Sequence, residues 1–398
     1  MSDENFNFYL DLGSSKIRAV AFNKFNKDEK FIVEKGNILS LKKDKLNFFE
    51  TDKIIEDIIY ELEKKTKVYA NNISLMLDTP DTLFVSLSIS KKNDGKLIEK
   101  KNIQYLVQDA KQQIQKFYPD QNIIHIIIGN YKIDNKDYDY LPSNIKCKIF
   151  SIDVSFICFP KILTKSLERI FKKNQISINQ FLCSSYTKSL NYKEQFPTYE
   201  KIVFIDIGYE KTSIVIYKKD KLKAFNVLKI GGNHITKDIS KVLDLDLQKS
   251  EVIKNNLNKD ILFSEKNEDE KILKSNLLIQ TNKKDISPEM IKKIIFARID
   301  EILKLSFNNI KNYENLDDIN RLKVVLTGEG SKILESNFIH IKETVPLFEE
   351  IDFFIESGIN ICESGLKLNK GLNKQEVLIV PKKIVTRGFF EKLFHFFN

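Results

Sequence analysis

The 398-residue sequence is poor in the residues that build disulfide-bonded or metal-binding proteins. It contains four cysteines and four histidines, and the cysteines show neither CxxC spacing nor a pairing pattern. The scattered histidines give little support to a metal site. Together with the missing signal peptide, the cysteine pattern predicts reduced thiols in the cytoplasm.

Long apolar runs are also absent, and no stretch reaches the ~20 residues that a membrane-spanning helix needs. Apolar residues make up 42% of the chain and charged residues 30%, which is typical of a globular protein with two or more domains. The net charge of +9 raises the question of nucleic-acid binding. We discount that function, because Lys, Asn and Ile are all over-used throughout, which indicates a chain-wide compositional drift. Basic residues are also not interleaved with aromatic ones as in an RNA-binding module.

One supersecondary unit occurs twice. Residues 201–217 show a buried strand, a tight turn that holds Asp206 and Gly208, and a second strand. Residues 8–22 repeat this pattern, with Asp11 and Gly13 in the turn. Each copy continues through a polar turn into another strand. The repeat predicts an α/β fold of two related half-domains, whose acidic turns could face each other across a cleft.

A strand–helix–strand–strand block interrupts the first half, and we interpret it as an inserted subdomain; the alternative is an extension of one large domain. The predicted division of the chain is a first half (5–87 and 160–200), the inserted subdomain (88–159), a second half (201–232 and 302–366), a small subdomain (233–301), a flexible linker (367–385) and a terminal amphipathic helix (386–398).

The hairpin turns contain groups that bind anions and cations. Gly13 to Lys16 offer backbone N–H groups, two hydroxyls and a positive charge. Asp11 and Asp206 could hold Mg²⁺ through water, because this ion takes few carboxylates and keeps much of its hydration shell. Single Asp-x-Gly turns are common, so the order and spacing of the motifs are the more specific signal. Two further glycine pairs would allow close approach of a ligand to the backbone: Gly231 with Gly232, and Gly328 with Gly330.

In this order the motifs resemble those of the actin, sugar-kinase and chaperone ATPase superfamily. Within it, the chain is similar to FtsA, a family of actin-like bacterial cell-division proteins. The resemblance covers nearly the whole chain, including the inserted block, and implies an actin-like fold around a nucleotide cleft. The matching segments are DLGSSKI (11–17), the turn at 206–208, GGNHITKDIS (231–240), SEVIK (250–254), RIDEIL (298–303) and LTGEGS (326–331).

The resemblance implies that ATP or ADP binds with Mg²⁺ between the two halves. Asp11 and Asp206 would hold the Mg²⁺ ion through water. The residues that the family motifs assign to the nucleotide site are Asp11, Gly13, Ser14, Ser15, Lys16, Asp206, Gly208, Thr212, Gly231, Gly232, Glu251, Lys254, Gly328, Gly330 and Ser331.

The turn that begins at 206–208, which the resemblance assigns to the second phosphate motif and which we call the second phosphate turn, departs from the family pattern. Tyr209 stands where a small residue would let the phosphate approach, and Glu210 adds repulsion. The segment LTGEGS (326–331) resembles the family's adenosine motif, and Glu329 replaces a glycine there. Residues 184–187 lack the carboxylate that aligns with the attacking water in related ATPases. We therefore expect nucleotide binding with weak or absent hydrolysis.

The resemblance also implies partners and a location. The inserted subdomain would contact the next subunit of a filament, and residues 235–284 would bind the acidic and apolar C-terminal tail of FtsZ. Other division proteins would be further partners, at the division site on the cytoplasmic face of the inner membrane. Two alternatives are a small-molecule kinase of the same superfamily, for which we find no well-placed aspartate base, and a pilus-type relative that acts as a binding module.

The amphipathic pattern of the last residues distinguishes the division protein from the kinase and the pilus-type alternatives. On a helix at about 100° per residue, six apolar side chains fall within an arc of about 160°, with basic residues around them. This pattern predicts a peripheral helix on an anionic membrane surface, which neither alternative function requires. The other interpretation is a terminal helix packed on the protein's own core. The six residues are Phe389, Phe390, Leu393, Phe394, Phe396 and Phe397.

Overall fold

The structure is a computed structural model that describes residues 5–36, 48–142, 144–255, 288–312, 322–335, 338–346, 348, 350–371 and 377. Its strands are β1 (Phe6–Leu12), β2 (Lys16–Asn23), β3 (Lys30–Gly36), β4 (Asn72–Leu77), β5 (Leu83–Leu97), β6 (Gln121–Ile133), β7 (Lys136–Tyr138), β8 (Lys146–Pro160), β9 (Ser177–Cys183), β10 (Lys201–Ile207), β11 (Thr212–Lys218), β12 (Lys221–Leu228), β13 (Lys323–Thr327) and β14 (Glu350–Phe353). Its helices include α1 (Phe48–Thr66), α2 (Lys100–Phe117), α3 (Lys161–Lys173), α4 (Ser184–Tyr192), α5 (Gly232–Leu243), α6 (Leu247–Asn255), α7 (Pro288–Lys311), α8 (Lys332–Glu335), α9 (Phe338–Thr344) and α10 (Gly358–Asn369).

Two five-stranded sheets share one topology. The strand orders are β3-β2-β1-β4-β9 and β12-β11-β10-β13-β14. In each sheet three consecutive strands pair antiparallel, and two later strands add in parallel beside the first of them. The acidic residues Asp11 and Asp206 occupy the second-to-last position of β1 and of β10. The predicted pair of related half-domains in an actin-like α/β fold is confirmed.

Amphipathic helices cover these sheets because their apolar residues recur on one face. In the first half, Ile55, Ile58 and Leu62 of α1 are buried in the core cluster that also contains the sheet residue Leu10. In the second half, α5, α6 and α7 contribute to the same core as strands β10, β11 and β13. The described part of the predicted small subdomain thus packs directly onto the second sheet.

The inserted block forms a sheet of its own, with the order β5-β8-β6-β7 and antiparallel pairing. Its core is separate from those of the two halves: Leu106, Ala110 and Ile114 of α2 lie with Phe150 and Phe156 of β8. The sheet begins at the start of β5 and ends with β8, so it extends slightly beyond the predicted range 88–159.

Helix α10 returns the chain to the first half. Ile361 and Leu368 share a core cluster with Tyr9 and Phe22 of the first sheet. Residues 358–366, which the sequence assigned to the second half, therefore pack on the first. The helix continues to its last residue at position 369, so the first three residues of the predicted linker are helical.

The backbone N–H of Val377 donates to Ile126 O on β6 at 2.9 Å, so the predicted linker contacts the inserted sheet at this point. The other linker residues beyond 371 and the predicted terminal helix over 386–398 lie outside the described residues. Within the described ranges, no helix is long and apolar enough to cross a membrane.

Candidate functional site

The candidate site forms where strands of both halves end. Asp11 is near the end of β1 and Asp206 near the end of β10, while Asp78 directly follows β4. Carboxyl ends of parallel strands meet at one edge of a sheet, so polar groups that follow them converge. Helix α4 enters between the two acidic turns. Ser184 Oγ donates to Asp11 Oδ1 at 2.7 Å. Ser185 Oγ lies 2.5 Å from Asp78 Oδ2 and 3.0 Å from Asp206 Oδ2, so its one proton is shared between two carboxylates.

Asp11 forms a buried ion pair with Arg18, its cross-strand neighbour on β2. The distance from Arg18 Nη1 to Asp11 Oδ2 is 3.2 Å. Burial by itself would lower the pKa of Arg18, but the carboxylates of Asp11, Glu34 and Glu329 outweigh it and raise that pKa. The guanidinium is thus a permanent positive charge beside the first acidic turn.

Asp206 forms a buried ion pair with Lys188 of α4. Lys188 Nζ lies 2.6 Å from Asp206 Oδ2 and 2.9 Å from Glu356 Oε1. Burial by itself would raise the pKa of Asp206, but the ammonium group lowers it below its ordinary value. Burial likewise opposes the charge on Lys188, yet the two carboxylates raise its pKa well above the ordinary value. The second acidic turn therefore also has an internal cation.

The predicted nucleotide-binding turns of the two halves contact each other. The backbone N–H of Glu210 donates to Ser14 Oγ at 3.3 Å. Lys16 Nζ forms an ion pair with Glu329 Oε1 at 3.2 Å, and both side chains are partly exposed. Burial would raise the pKa of Glu329, but Lys332 and Lys16 lower it. The departures Glu210 and Glu329 are thus the residues through which the turns meet.

The glycine pair at the start of α5 packs against the second hairpin turn. The N–H of Gly232 donates to Gly208 O at 2.9 Å, and that of Asn233 donates to Tyr209 O at 2.7 Å. A Cβ atom at Gly231 would lie 2.6 Å from Gly208 O. The amides of Gly232 and Asn233 thus serve the hairpin turn, and the turn backbone fills the space beside Gly231.

The glycines after β13 pack equally closely against β10. Gly328 has φ +86°, and a Cβ atom there would lie 2.3 Å from Asp206 Oδ1. A Cβ atom at Gly330 would lie 2.6 Å from Ile207 Cγ2. Ser331 Oγ donates to Gly328 O at 2.7 Å and closes the turn. The adenosine-type turn is thereby fixed beside the second acidic turn.

Glu251 and Lys254, two further residues of the predicted nucleotide site, form a cluster behind Gly231 and Gly232. Lys254 Nζ lies 2.7 Å from Glu251 Oε2, 3.2 Å from Gly232 O and 5.2 Å from the centre of the Tyr209 ring. Burial lowers the pKa of Lys254. The pair is therefore linked to the second phosphate turn through Tyr209 and the start of α5.

The remaining predicted residues support the turns from within. Thr212 is fully buried, and its Oγ1 donates to Ile230 O at 2.8 Å. A Cβ atom at Gly13 would lie 2.5 Å from Lys16 O, so the first turn requires glycine there. Ser15 is half-buried in the same turn.

Four charged residues of this site were missed from the sequence: Arg18, Asp78, Lys188 and Glu356. Arg18 carries a signal, since it is the charged residue among the apolar residues of the buried stretch 17–22. Asp78 carries another signal, because it directly follows a buried strand. In the structure its carboxylate accepts from the backbone N–H of Ser185 at 3.1 Å. Lys188 has no comparable local signal in its polar helix.

The carboxylates of Asp11 and Asp206 do not fit the predicted Mg²⁺ ion. Mg²⁺ keeps several waters and binds through one or two carboxylates together with substrate phosphates, so the carboxylates must be open to those waters. Here each carboxylate already faces a side-chain cation and a serine hydroxyl. No group of three or more His, Cys, Asp or Glu residues suited to a metal ion occurs in the part of the chain that the structure describes.

Comparison with known proteins finds sequence similarity to one family. The family model described as "Cell division protein FtsA" matches residues 203–369. Two curated FtsA proteins that the chain matches come from Bacillus subtilis (20% identical over 317 residues, 78% of this chain and 71% of the relative) and Buchnera aphidicola subsp. Acyrthosiphon pisum (23% over 419 residues, 98% and 96%). The chain is similar in sequence to the FtsA cell-division proteins. The match to Agrobacterium fabrum FtsA is 22% identical and spans 54% of that protein's length.

Solved structures agree on the fold. The chain is similar to a structure of the PilM–PilN type IV pilus biogenesis complex, with a TM-score of 0.56, 12% identity and 89% of each chain covered. It is also similar to MreB5 of Spiroplasma citri bound to ADP, with a TM-score of 0.50, 12% identity and coverage of 93% and 97%. At these identities the likeness shows the actin-like fold alone. The sequence match therefore favours FtsA over the pilus-type and kinase alternatives.

Proposed function

We propose that the protein is a cell-division adaptor of the FtsA type. It self-associates into filaments, binds the C-terminal tail of FtsZ and attaches it to the cytoplasmic face of the inner membrane at the division site. The observation that carries this proposal is the FtsA match over the second half of a chain whose actin-like fold contains an inserted sheet. The inserted sheet supplies the surface toward the next subunit.

We also propose that ATP or ADP binds between the halves, with weak or absent hydrolysis. The first turn supports this, since Lys16 is partly exposed and its partner Glu329 is too. Exposed ion pairs contribute up to about 1 kcal/mol, so an incoming phosphate can displace this one. Tyr209 stands in the second turn where the family pattern has a small residue, and Glu210 adds a negative charge, so both oppose the phosphate contacts that hydrolysis requires.

Glu329→Gln should tighten nucleotide binding by about fivefold, equivalent to ~1 kcal/mol. The substitution removes a negative charge from the cleft and frees Lys16 for a phosphate group. Isothermal titration with ATP and with ADP measures the change, and Glu335→Gln on the exposed end of α8 is the charge-matched control. Equal affinities of the two variants would contradict this role of Glu329. Absence of any binding by the parent, even with ATP in large excess, would rule out nucleotide binding by the isolated protein.

The proposed FtsZ-binding region, residues 235–284, is described up to residue 255. This part exposes basic and apolar side chains, which an acidic and apolar peptide would contact. Lys241 and Val242 are exposed on α5, and Val252 is exposed on α6. The same helices contribute buried residues to the core of the second half, so deleting the region would remove part of that core.

Point substitutions therefore test the FtsZ-binding region more cleanly than deletion. Lys241→Glu should weaken binding of the FtsZ tail peptide by about fivefold, because it reverses one charge at the rim of the interface. Fluorescence anisotropy with a labelled peptide measures the affinity. Lys223→Glu, on the exposed face of β12, has the same charge change outside the region and should bind like the parent. An equal loss in both variants would show that only overall charge matters.

A further inference from the structure

We propose that Arg18 and Lys188 take the place of Mg²⁺ in the cleft, so that the two acidic turns are joined without a metal ion. The inference concerns the nucleotide cleft named under the proposed function and rests on that assignment. The family resemblance assigns Asp11 and Asp206 to Mg²⁺. In the structure, however, each of these carboxylates is paired with a cationic side chain of the chain itself.

The first cation is fixed by strand register. Arg18 on β2 lies directly opposite Asp11 on β1, so its position follows from the hairpin. Its guanidinium also lies 3.5 Å from Glu34 Oε1 and 3.7 Å from Glu329 Oε1. Arg18 therefore joins a carboxylate of the first half to one of the second half.

The second cation crosses between the halves in the same way. Lys188 belongs to α4, which follows the last strand of the first sheet, while Asp206 lies near the end of the central strand of the second. Glu356 follows β14, also of the second sheet, and accepts the same ammonium group. One buried lysine thus bridges two carboxylates, as a divalent ion would.

Hydrogen bonds complete both sites. Ser184 at the start of α4 donates to Asp11, and the Ser185 hydroxyl is shared between Asp206 and Asp78. Tyr192 OH donates to Glu356 Oε1 at 3.0 Å. Buried charges are tolerated where they are paired and their remaining oxygen atoms are hydrogen-bonded. Each acidic turn therefore has a partner cation that no chelator can remove.

The test compares the full-length protein in EDTA and in millimolar Mg²⁺. We expect the same thermal midpoint in both, and an ATP affinity that changes by less than about twofold between them. Arg18→Ala leaves Asp11 without its cation. The thermal midpoint of this variant should therefore be lower than that of the parent and should rise again when Mg²⁺ is added. Arg298→Ala removes the ion pair between Arg298 Nε and Asp238 Oδ2 (2.6 Å), away from the acidic turns, and should lose stability without a response to Mg²⁺.

Two results would overturn the inference. One is a parent protein whose midpoint rises with Mg²⁺ or whose ATP affinity increases by about tenfold or more with it. The other is stoichiometric Mn²⁺ binding by the parent, detected by electron paramagnetic resonance, that Asp206→Asn abolishes. Both measurements use the parent protein, so they decide the matter even if Arg18→Ala does not fold. Binding to FtsZ and to liposomes is measured separately, so failure here leaves the adaptor function standing.

Discussion

Lys188→Met should lower the free energy of unfolding by about 3–5 kcal/mol. The substitution keeps most of the side-chain volume but removes the charge, so Asp206 and Glu356 lie buried without the ammonium group between them. An uncompensated buried carboxylate is costly because the protein interior solvates it poorly. Urea unfolding followed by circular dichroism measures the change, and we expect the midpoint to fall with the slope unchanged.

The deficit of this variant should decrease at acidic pH. Burial raises the pKa of Glu356 above its ordinary value even in the parent. A carboxyl whose pKa is higher in the folded than in the unfolded state destabilises the fold when ionised, and this penalty is lost as the pH falls through the folded pKa. Protonation of Glu356 would thus restore part of the stability that Lys188→Met removes.

Lys332→Met is the matched control for Lys188→Met. Its ammonium group forms an ion pair with Glu329 at 2.7 Å, and both side chains are substantially exposed. Exposed pairs contribute about 0–1 kcal/mol, so the loss should be small. Equal losses in the two lysine variants would contradict the structural role assigned to Lys188.

Phe390→Glu combined with Phe394→Glu should release the protein from anionic liposomes. On a helix these two residues fall on the apolar arc, so both carboxylates would have to enter the acyl-chain boundary that the phenylalanines are proposed to occupy. A short helix binds weakly by itself, and filaments would strengthen attachment by presenting many helices together. Co-sedimentation with liposomes should therefore fall from most of the protein to background, while nucleotide binding is unchanged.

The control for the membrane variant places the same charges on the other side of the helix. His395→Glu combined with Asn398→Glu adds two carboxylates outside the apolar arc. On anionic liposomes it should lose only an electrostatic share of the binding, on the order of 1 kcal/mol per charge at low salt, and on neutral liposomes almost nothing. If the phenylalanine variant sediments as well as the parent, the anchor lies elsewhere.

The fold could be predicted because its signals are local and repeated. Two hairpins with Asp-x-Gly turns predict two equivalent sheets, and the family motifs follow in order. The partner of Asp11 could also have been read from the sequence: counting outward from the two-residue tip Ser14–Ser15 places Arg18 opposite it. That inference needs only the pairing register of a short hairpin.

The partner of Asp206 could not be found in this way. Lys188 reaches Asp206 because α4 packs between the halves, and no local pattern in a polar helix indicates which carboxylate its lysine will meet. The placement of α10 is similar. Its apolar stripe, which includes Ile361 and Leu368, fits either sheet, and only the tertiary structure shows that it packs on the first.

Co-sedimentation of FtsZ with anionic liposomes tests the adaptor function most directly. FtsZ filaments should remain in the supernatant when mixed with liposomes alone and should sediment with them when this protein is added. FtsZ that lacks its C-terminal tail should stay in the supernatant under the same conditions. The account is contradicted if full-length FtsZ also stays there although this protein itself is bound to the liposomes.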